Sequence, residues 1–324
     1  MLIRGSKWRR PELFLVTGGC GFIGSHLVDV LCAGGSRVRV LDDLSTGKRA
    51  NVPALTEIIE GDVADPAVVA HAMSGVDACF HLAAVASVAR STTDWAGTSR
   101  INLGGTVNVL DAARCAAPGA PLPVVFASSA AVYGNPTVPL LSELEKTAPL
   151  SPYGADKLAS ELHAAVATRL HKIPCLGLRF FNVYGPRQDP TSPYSGVISR
   201  FADAVARHST IEIYGNGEQV RDFVFVHDVV DALMKAMERA DQGGSGICNV
   251  CTGRATSVRD LARVMREGAG TDVSMTFLPA RAGDIRQSVG DPSQARDILR
   301  WQSQTSLEAG LKTTLNWYQE CLQH

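Results

Sequence analysis

Two short stretches hold residues whose types and spacing suit proton transfer. Ser128 and Ser129 close the apolar run 124–127, and Tyr153 and Lys157 sit four apart at the start of a helix-like segment. On a helix, positions i and i+4 share a face, so the phenol and the ammonium point the same way. A neighbouring ammonium favours the phenolate and is expected to draw the Tyr153 pKa down from its free value of about 10. A base poised near working pH is what removal of a proton from an alcohol needs. Two hydroxyls, Ser128 and Ser129, end the strand beside it, and both are candidates for the site.

The elements that must position these groups follow from the pattern upstream. The run 13–16 is apolar and rich in strand formers, and Gly18, Gly21 and Gly24 follow at once, ahead of the helix-like 25–31. Strand, glycine turn and helix in that order form the context of a dinucleotide site: glycines let backbone N–H groups approach a pyrophosphate at the helix N-terminus. The spacing is GxxGxxG rather than GxGxxG. A second strand, 37–41, ends in Asp42-Asp43. An acid there accepts hydrogen bonds from ribose hydroxyls and repels a 2′-phosphate, which favours NAD over NADP, although Lys48 and Arg49 lie close by. Further strands are expected at 57–63, with Asp62 at its end, at 76–82, at 124–127 and from 178, running into a loop by 187. Helices are expected at 64–74 and 102–117. Alternating strands and helices imply a parallel, doubly wound sheet that binds ligands at the carboxyl ends of its strands. The glycine turn, Asp42, Asp62, Ala83 and Ser128-Ser129 all fall at that edge.

The chain has 324 residues and a net charge of −1, so it lacks the basic excess of a nucleic-acid or membrane-surface binder. No run approaches the roughly 18 apolar residues of a membrane span. The leader 1–11 is polar and basic, without the apolar core of a signal peptide. Most of the eight cysteines sit in apolar surroundings and read as buried, and all are read as reduced thiols of a cytoplasmic chain. Cys248 and Cys251 form a CxxC with no second pair to complete a zinc site, and no metal is expected. His81, at an apolar strand end, reads as a structural histidine.

Taken together, nine stretches in order resemble the extended short-chain dehydrogenase/reductases of the NAD-dependent epimerase/dehydratase family, and among them most the UDP-hexose 4-epimerases. They are 17–24, 42–47, 61–63, 81–88, 128–134, 153–157, 178–190, 220–228 and 281–284. The resemblance implies an α/β fold: a Rossmann-like doubly wound parallel sheet with a smaller C-terminal α/β substrate domain. Residues 1–182 would bind NAD, with 222–250 returning to that domain, and 183–324 would bind the sugar nucleotide. NAD would be lined by Phe22, Ile23, Asp42, Asp43, Asp62, Val63, Leu82, Ala83, Ala84, Asn102 and Phe180. Lys157 would bond the nicotinamide ribose and tune Tyr153. Tyr153 would take the sugar 4-OH proton, hydride would pass from C4 to the nicotinamide, and Ser129 would hydrogen-bond the 4-ketone. The ketosugar would turn over and take the hydride back on its other face.

The resemblance extends to the substrate. Asn182, Arg221 and Arg281 would meet the diphosphate, as guanidinium forks suit its oxygens. Asp284 would accept from ribose, Val197 would meet the base through its backbone, and Tyr214 and Phe223 would lie beside it. Related dehydratases carry an acid two or three residues after the catalytic hydroxyl. Here those places hold Ala131 and Val132, which argues against dehydration. Ser288, where a bulky tyrosine closes the pocket of epimerases limited to plain hexoses, implies UDP-GlcNAc/UDP-GalNAc interconversion, with UDP-Glc/UDP-Gal as a second pair. A sugar-nucleotide ketoreductase and a non-catalytic NAD sensor are the alternatives. Helices near 102–117 and 153–170 match those that pair subunits in the family, so a homodimer is expected.

Overall fold

The computed structural model of the chain describes residues 12–116, 121–190, 196–280 and 283–323. Strand β1 (Leu13–Thr17) is buried along its whole length and runs into the glycine turn and helix α1 (Phe22–Ala33). Next come β2 (Arg37–Asp42), β3 (Glu57–Glu60), α2 (Pro66–Met73) and β4 (Ala78–His81). Helices α3 (Val88–Thr93) and α4 (Trp95–Ser99) lead through a π-helical turn, Arg100–Gly104, into α5 (Gly105–Cys115). Strand β5 (Val124–Ser129) ends in a 3-10 turn, Ala130–Tyr133, and α6 (Pro152–His171) returns the chain to β6 (Cys175–Phe180).

Shorter elements follow: β7 (Asn182–Tyr184), α7 (Val197–Ala206), β8 (Ile211–Tyr214), β9 (Val220–Arg221), β10 (Phe223–Phe225) and α8 (Val226–Asp241). Then come β11 (Gly246–Val250), β12 (Thr256–Ser257), α9 (Val258–Ala269), β13 (Met275–Leu278), β14 (Gln287–Ser288), α10 (Ser293–Leu299) and α11 (Leu307–Gln323).

The main sheet runs β11-β6-β5-β4-β1-β2-β3 with every pair parallel. The order reverses between β1 and β4, which opens a crevice at the carboxyl edge. One face is covered by α1, α8 and α10, through Leu27, Leu31, Leu233 and Leu299. The other is covered by α2, α5 and α6, through Val69, Val109 and Ala164. This is the doubly wound α/β sheet the sequence implies. A separate core joins α7, α9 and α11 to β8.

Local signals start the helices that matter. Asp65 caps α2 by accepting from the amides of Ala67 and Val68, with Pro66 next. Ser151 caps α6 by accepting from Gly154 N, with Pro152 next. A capping oxygen followed by proline at the first helical position fixes where a helix begins, and here it sets Tyr153 in the first turn of α6.

Three elements depart from their expected bounds. The third strand stops at Glu60, ahead of Asp62. The strand expected to run on from 178 breaks at Phe181, and its continuation, β7, pairs with β10 instead. The helix expected from 102 starts in the π-helical turn, whose extra residue per turn lets Asn102 exchange hydrogen bonds with the Val85 backbone (Oδ1 to N 2.8 Å, Nδ2 to O 3.3 Å).

Long-range ties hold the later segments together. Asp222 is fully buried and accepts from Thr252 N and Oγ1, Gly253 N and Gly290 N. One carboxylate thereby joins the strand bearing Arg221 to segments far along the chain.

Candidate active site

The glycine turn is shaped by what a side chain would strike. A Cβ on Gly24 would lie 2.1 Å from Gly18 O, and one on Gly18, at φ +69°, 2.7 Å from Ala83 N. Gly21 is the N-cap of α1, with extended backbone. The turn therefore closes tightly and presents the first amides of α1 to the crevice, where an anion is favoured.

Asp42, at the end of β2, is buried. Its Oδ2 accepts from Cys20 N and its Oδ1 from Leu44 N, each at 2.9 Å. Burial pushes its pKa up, while those amides hold it down. Each carboxylate oxygen has a further acceptor site, so Asp42 can take a ribose hydroxyl without releasing the turn. Asp43 is exposed and turns to Ser45. Asp62 accepts from Ala64 N and pairs with Arg100 at 2.7 Å.

The residues expected to line a cofactor divide into two groups. Phe22, Ile23, Leu82, Ala83 and Ala84 are half-buried at the crevice. Val63, Asn102 and Phe180 are buried: Val63 belongs to the core under α2 and α5, Phe180 packs against the opposite sheet face, and Asn102 stands behind the loop after β4. His81 is the structural histidine expected. Its Nδ1 meets Thr17 Oγ1 at 2.8 Å and its Nε2 meets Thr106 Oγ1 at 3.1 Å. Burial, then the Lys157 charge, lowers its pKa to about 3.

Tyr153, Lys157 and the strand-end serines come together. The Lys157 Nζ lies 5.8 Å from the Tyr153 ring centroid and donates to Ala127 O at 2.8 Å. The Ser129 hydroxyl is near enough to the Tyr153 phenol to favour its ionised form, and it accepts from Ala131 N at 3.2 Å. Ser128, the other candidate, is buried and donates to Glu161 at 2.5 Å, facing away from Tyr153.

The expected lowering of the Tyr153 pKa is not what the chain alone produces. Burial raises it, and the Ser129 hydroxyl only moderates the rise. The ammonium is spent on a backbone carbonyl, and desolvation lowers Lys157 itself to about 8, against the pull of Asp156. Desolvation is the leading cause for both groups.

On the substrate side, Arg221 is mostly covered and pairs with Asp284 at 2.6 Å. Burial lowers its pKa, with Asp284 opposing. Ser288 pairs in register with Arg221 across β14 and β9. Asn182 opens β7 and Val197 opens α7, both half-buried. Tyr214 ends β8 with the Arg200 guanidinium 5.8 Å from its ring centroid. Phe223, expected beside a base, is buried in the core of α7, α9 and α11. Arg281 lies outside the described residues.

Sequence reasoning missed a buried polar cluster beneath these groups, made of Glu161, Arg179, Tyr133 and Asn249. Its signals were present. Glu161 is four residues after Lys157, and Arg179 is a charge inside an otherwise apolar strand, which demands a partner.

A dinucleotide-binding sheet edge carrying a tyrosine, a lysine and a serine in contact defines a nicotinamide-dependent oxidoreductase-like site. The profile of the NAD dependent epimerase/dehydratase family matches residues 14–251, and the chain belongs to that family. The glycine cradle and the Asp42 acceptor fit the family's NAD. A UDP-glucose 4-epimerase of Mycolicibacterium smegmatis is 39% identical over 310 residues, covering 94% of this chain and 97% of that relative. The solved UDP-glucose 4-epimerase of Thermotoga maritima, with UDP-glucose, has a TM-score of 0.90 at 36% identity, covering 96% and 99% of the two chains. A UDP-N-acetylglucosamine 4-epimerase from Methanobrevibacter ruminantium, in complex with UDP-N-acetylmuramic acid, has a TM-score of 0.91 at 33% identity, covering 97% and 100%.

Proposed function

We propose that the chain interconverts UDP-sugars at C4 through a transient 4-keto sugar, with Tyr153 as the proton-transfer group, Ser129 as the hydroxyl that steadies the sugar oxygen, and Lys157 as the charge beside them. The observation that carries this reading is the meeting of Tyr153 with Lys157, whose Nζ lies 5.8 Å from the ring, at the end of the strand that carries Ser129, on the sheet edge next to the glycine turn. NAD, when bound, supplies the hydride acceptor and a cationic ring. Tyr153 then holds and returns the sugar proton, and Ser129 hydrogen-bonds the same oxygen in both directions. Arg221, with Asn182 and Arg281, would meet the diphosphate, and Asp284 would exchange its arginine for the substrate ribose. The segments from 183 onward, apart from 222–250, would form the nucleotide-holding part.

Ser288, half-buried and in register with Arg221, supports UDP-GlcNAc/UDP-GalNAc as substrates, with UDP-Glc/UDP-Gal as a second pair. The relatives' names cover both kinds of sugar. Purified protein given UDP-GlcNAc or UDP-Glc, with no added cofactor, should form the C4 epimer. Net consumption of NAD(P)H on a ketosugar with no epimer formed would point to a ketoreductase and sink the reading. Ser288→Tyr should lower the ratio of GlcNAc to Glc turnover by about 10-fold or more, the scale on which a filled pocket discriminates; an unchanged ratio removes Ser288 from the pocket.

We infer a homodimer as well, on the stripe of exposed Leu162, Val166 and Leu170 along α6, which light scattering tests. All eight thiols are free, which supports a reducing, cytoplasmic setting. Among the described residues, no helix is long and apolar enough to cross a membrane.

A further inference from the structure

Glu161 lies four residues beyond Lys157 and eight beyond Tyr153, so all three share one stripe of α6. Its carboxylate and the Arg179 guanidinium form an ion pair whose side chains are each only 6% exposed. The pair is bidentate, Nε to Oε1 at 2.9 Å and Nη2 to Oε2 at 2.7 Å. Burial opposes the Arg179 charge, and the bonds to Glu161 outweigh it, so its pKa sits above the ordinary range.

The segment bearing Ser129 is tied to this pair on both sides. Ser128 Oγ donates to Glu161 Oε1 at 2.5 Å. At the far end of the 3-10 turn, Arg179 Nη1 donates to the Tyr133 hydroxyl at 2.9 Å, which donates on to Asn249 Oδ1 at 2.7 Å. Sheet register adds a third tie, since Ser128 lies opposite Arg179 and Ser129 opposite Phe180. A buried ion pair is a poor way to gain stability, because apolar side chains of the same volume serve as well or better. What it supplies here is a fixed geometry: two contacts bracket Ser129, one ending on Glu161 of the helix that carries Tyr153 and the other reaching that helix through Arg179 of β6.

We propose that Glu161 and Arg179, acting through Ser128 and Tyr133, are positioning residues that hold the Ser129 hydroxyl against the Tyr153 phenol. The proposal rests on the epimerase reading for its catalytic consequence, and on the hydrogen bonds that bracket Ser129 for the hold itself.

The test uses the NAD-loaded protein and two variants that each remove a single hydroxyl while leaving the ion pair in place, Ser128→Ala and Tyr133→Phe. Displacing a reacting group by about 1 Å can cost on the order of 10²-fold. Each variant should therefore lose about 10-fold or more in kcat for epimerisation, with KM changed by less than about three-fold. The Tyr153 phenol titration, followed by NMR of carbon-labelled tyrosine and assigned with Tyr153→Phe, should move to higher pH as the Ser129 hydroxyl shifts away from the phenol. Ser128→Thr, which keeps the hydroxyl, should restore both. The proposal is overturned if either quantity stays at its wild-type value in Ser128→Ala, or if Ser128→Thr fails to rescue. If the wild-type protein itself forms no epimer, the functional reading fails and the titration alone decides the contact.

Discussion

At the scale of single residues, the site turns on a competition between burial and charge. Tyr153 sits beside an ammonium, yet its phenol is held in the neutral form because water is excluded from both groups. The spacing of Tyr153 and Lys157 was legible in the sequence, since four residues on a helix define a face. The direction of the pKa shift was not, because desolvation depends on what covers the pair. The same limit applied to Ser128 and Ser129: adjacent strand residues point to opposite faces, and only the location of Glu161 tells which one faces Tyr153. Replacing Tyr153 with Phe removes the proton carrier and keeps the ring. Such a loss is typically worth ~10²–10⁴-fold in rate, or about 3–5 kcal/mol of barrier. Epimerisation by Tyr153→Phe should fall by that factor while NAD remains bound, as read by the absorbance of the purified protein. A variant that keeps more than about a tenth of wild-type kcat would remove Tyr153 from proton transfer.

At the scale of elements, the long runs were the readable ones. The alternation of β1 to β5 with α1, α2 and α5, and the sheet edge where the ligands belong, followed from periodicity and turn residues. The elements that escaped are short and stabilised from outside themselves. The π-helical turn exists because Asn102 reaches Val85, and β7 exists because β10 is beside it; neither leaves a local pattern. The glycine turn belongs to the first class, and its glycines are not equivalent. A methyl group on Gly24 would meet backbone atoms of Gly18 and Gly19, whereas one on Gly268, in α9, would meet nothing within 4 Å. Gly24→Ala should weaken NAD binding by about 10-fold or more, ~1.4 kcal/mol, as measured by calorimetry on protein stripped of NAD. Gly268→Ala should leave affinity alone and raise stability by ~0.5–1 kcal/mol, the ordinary helical gain. Equal NAD affinity in the two variants would show that the turn does not need its close approach.

At the scale of the whole molecule, buried polar groups couple distant segments, and two of them are histidines that folding keeps neutral. His81 joins Thr17 of β1 to Thr106 of α5, and its pKa is lowered to about 3. His26 of α1 meets Pro186 O at 3.0 Å and lies edge-to-face with His227, with burial lowering its pKa to about 4. Both ordinarily titrate at 6.5. Above that pH the folded and unfolded chains bind these protons equally. Below it the unfolded chain takes up protons that the folded chain refuses, so stability falls with falling pH until the folded values are reached. At about pH 5 each histidine has cost ~2 kcal/mol, a sizeable part of a typical total of ~5–15 kcal/mol. The buried carboxylates act with the opposite sign: Asp42, Asp156 and Asp222 have raised values, chiefly through burial, so their uptake of protons favours the folded chain as the pH drops. Because their values are raised, these carboxylates begin to take up protons above the ordinary range and offset part of the histidine effect in the window from pH 6.5 to about 5, so the share of one histidine is read from the difference between wild type and variant. Denaturant unfolding across that window should show stability falling with a slope of less than two protons. His81→Asn, unable to titrate, should remove about one of them even where its overall stability is lower. An unchanged slope in that variant would mean that His81 is already protonated in the folded chain, with its two threonine contacts rearranged to accept the charge.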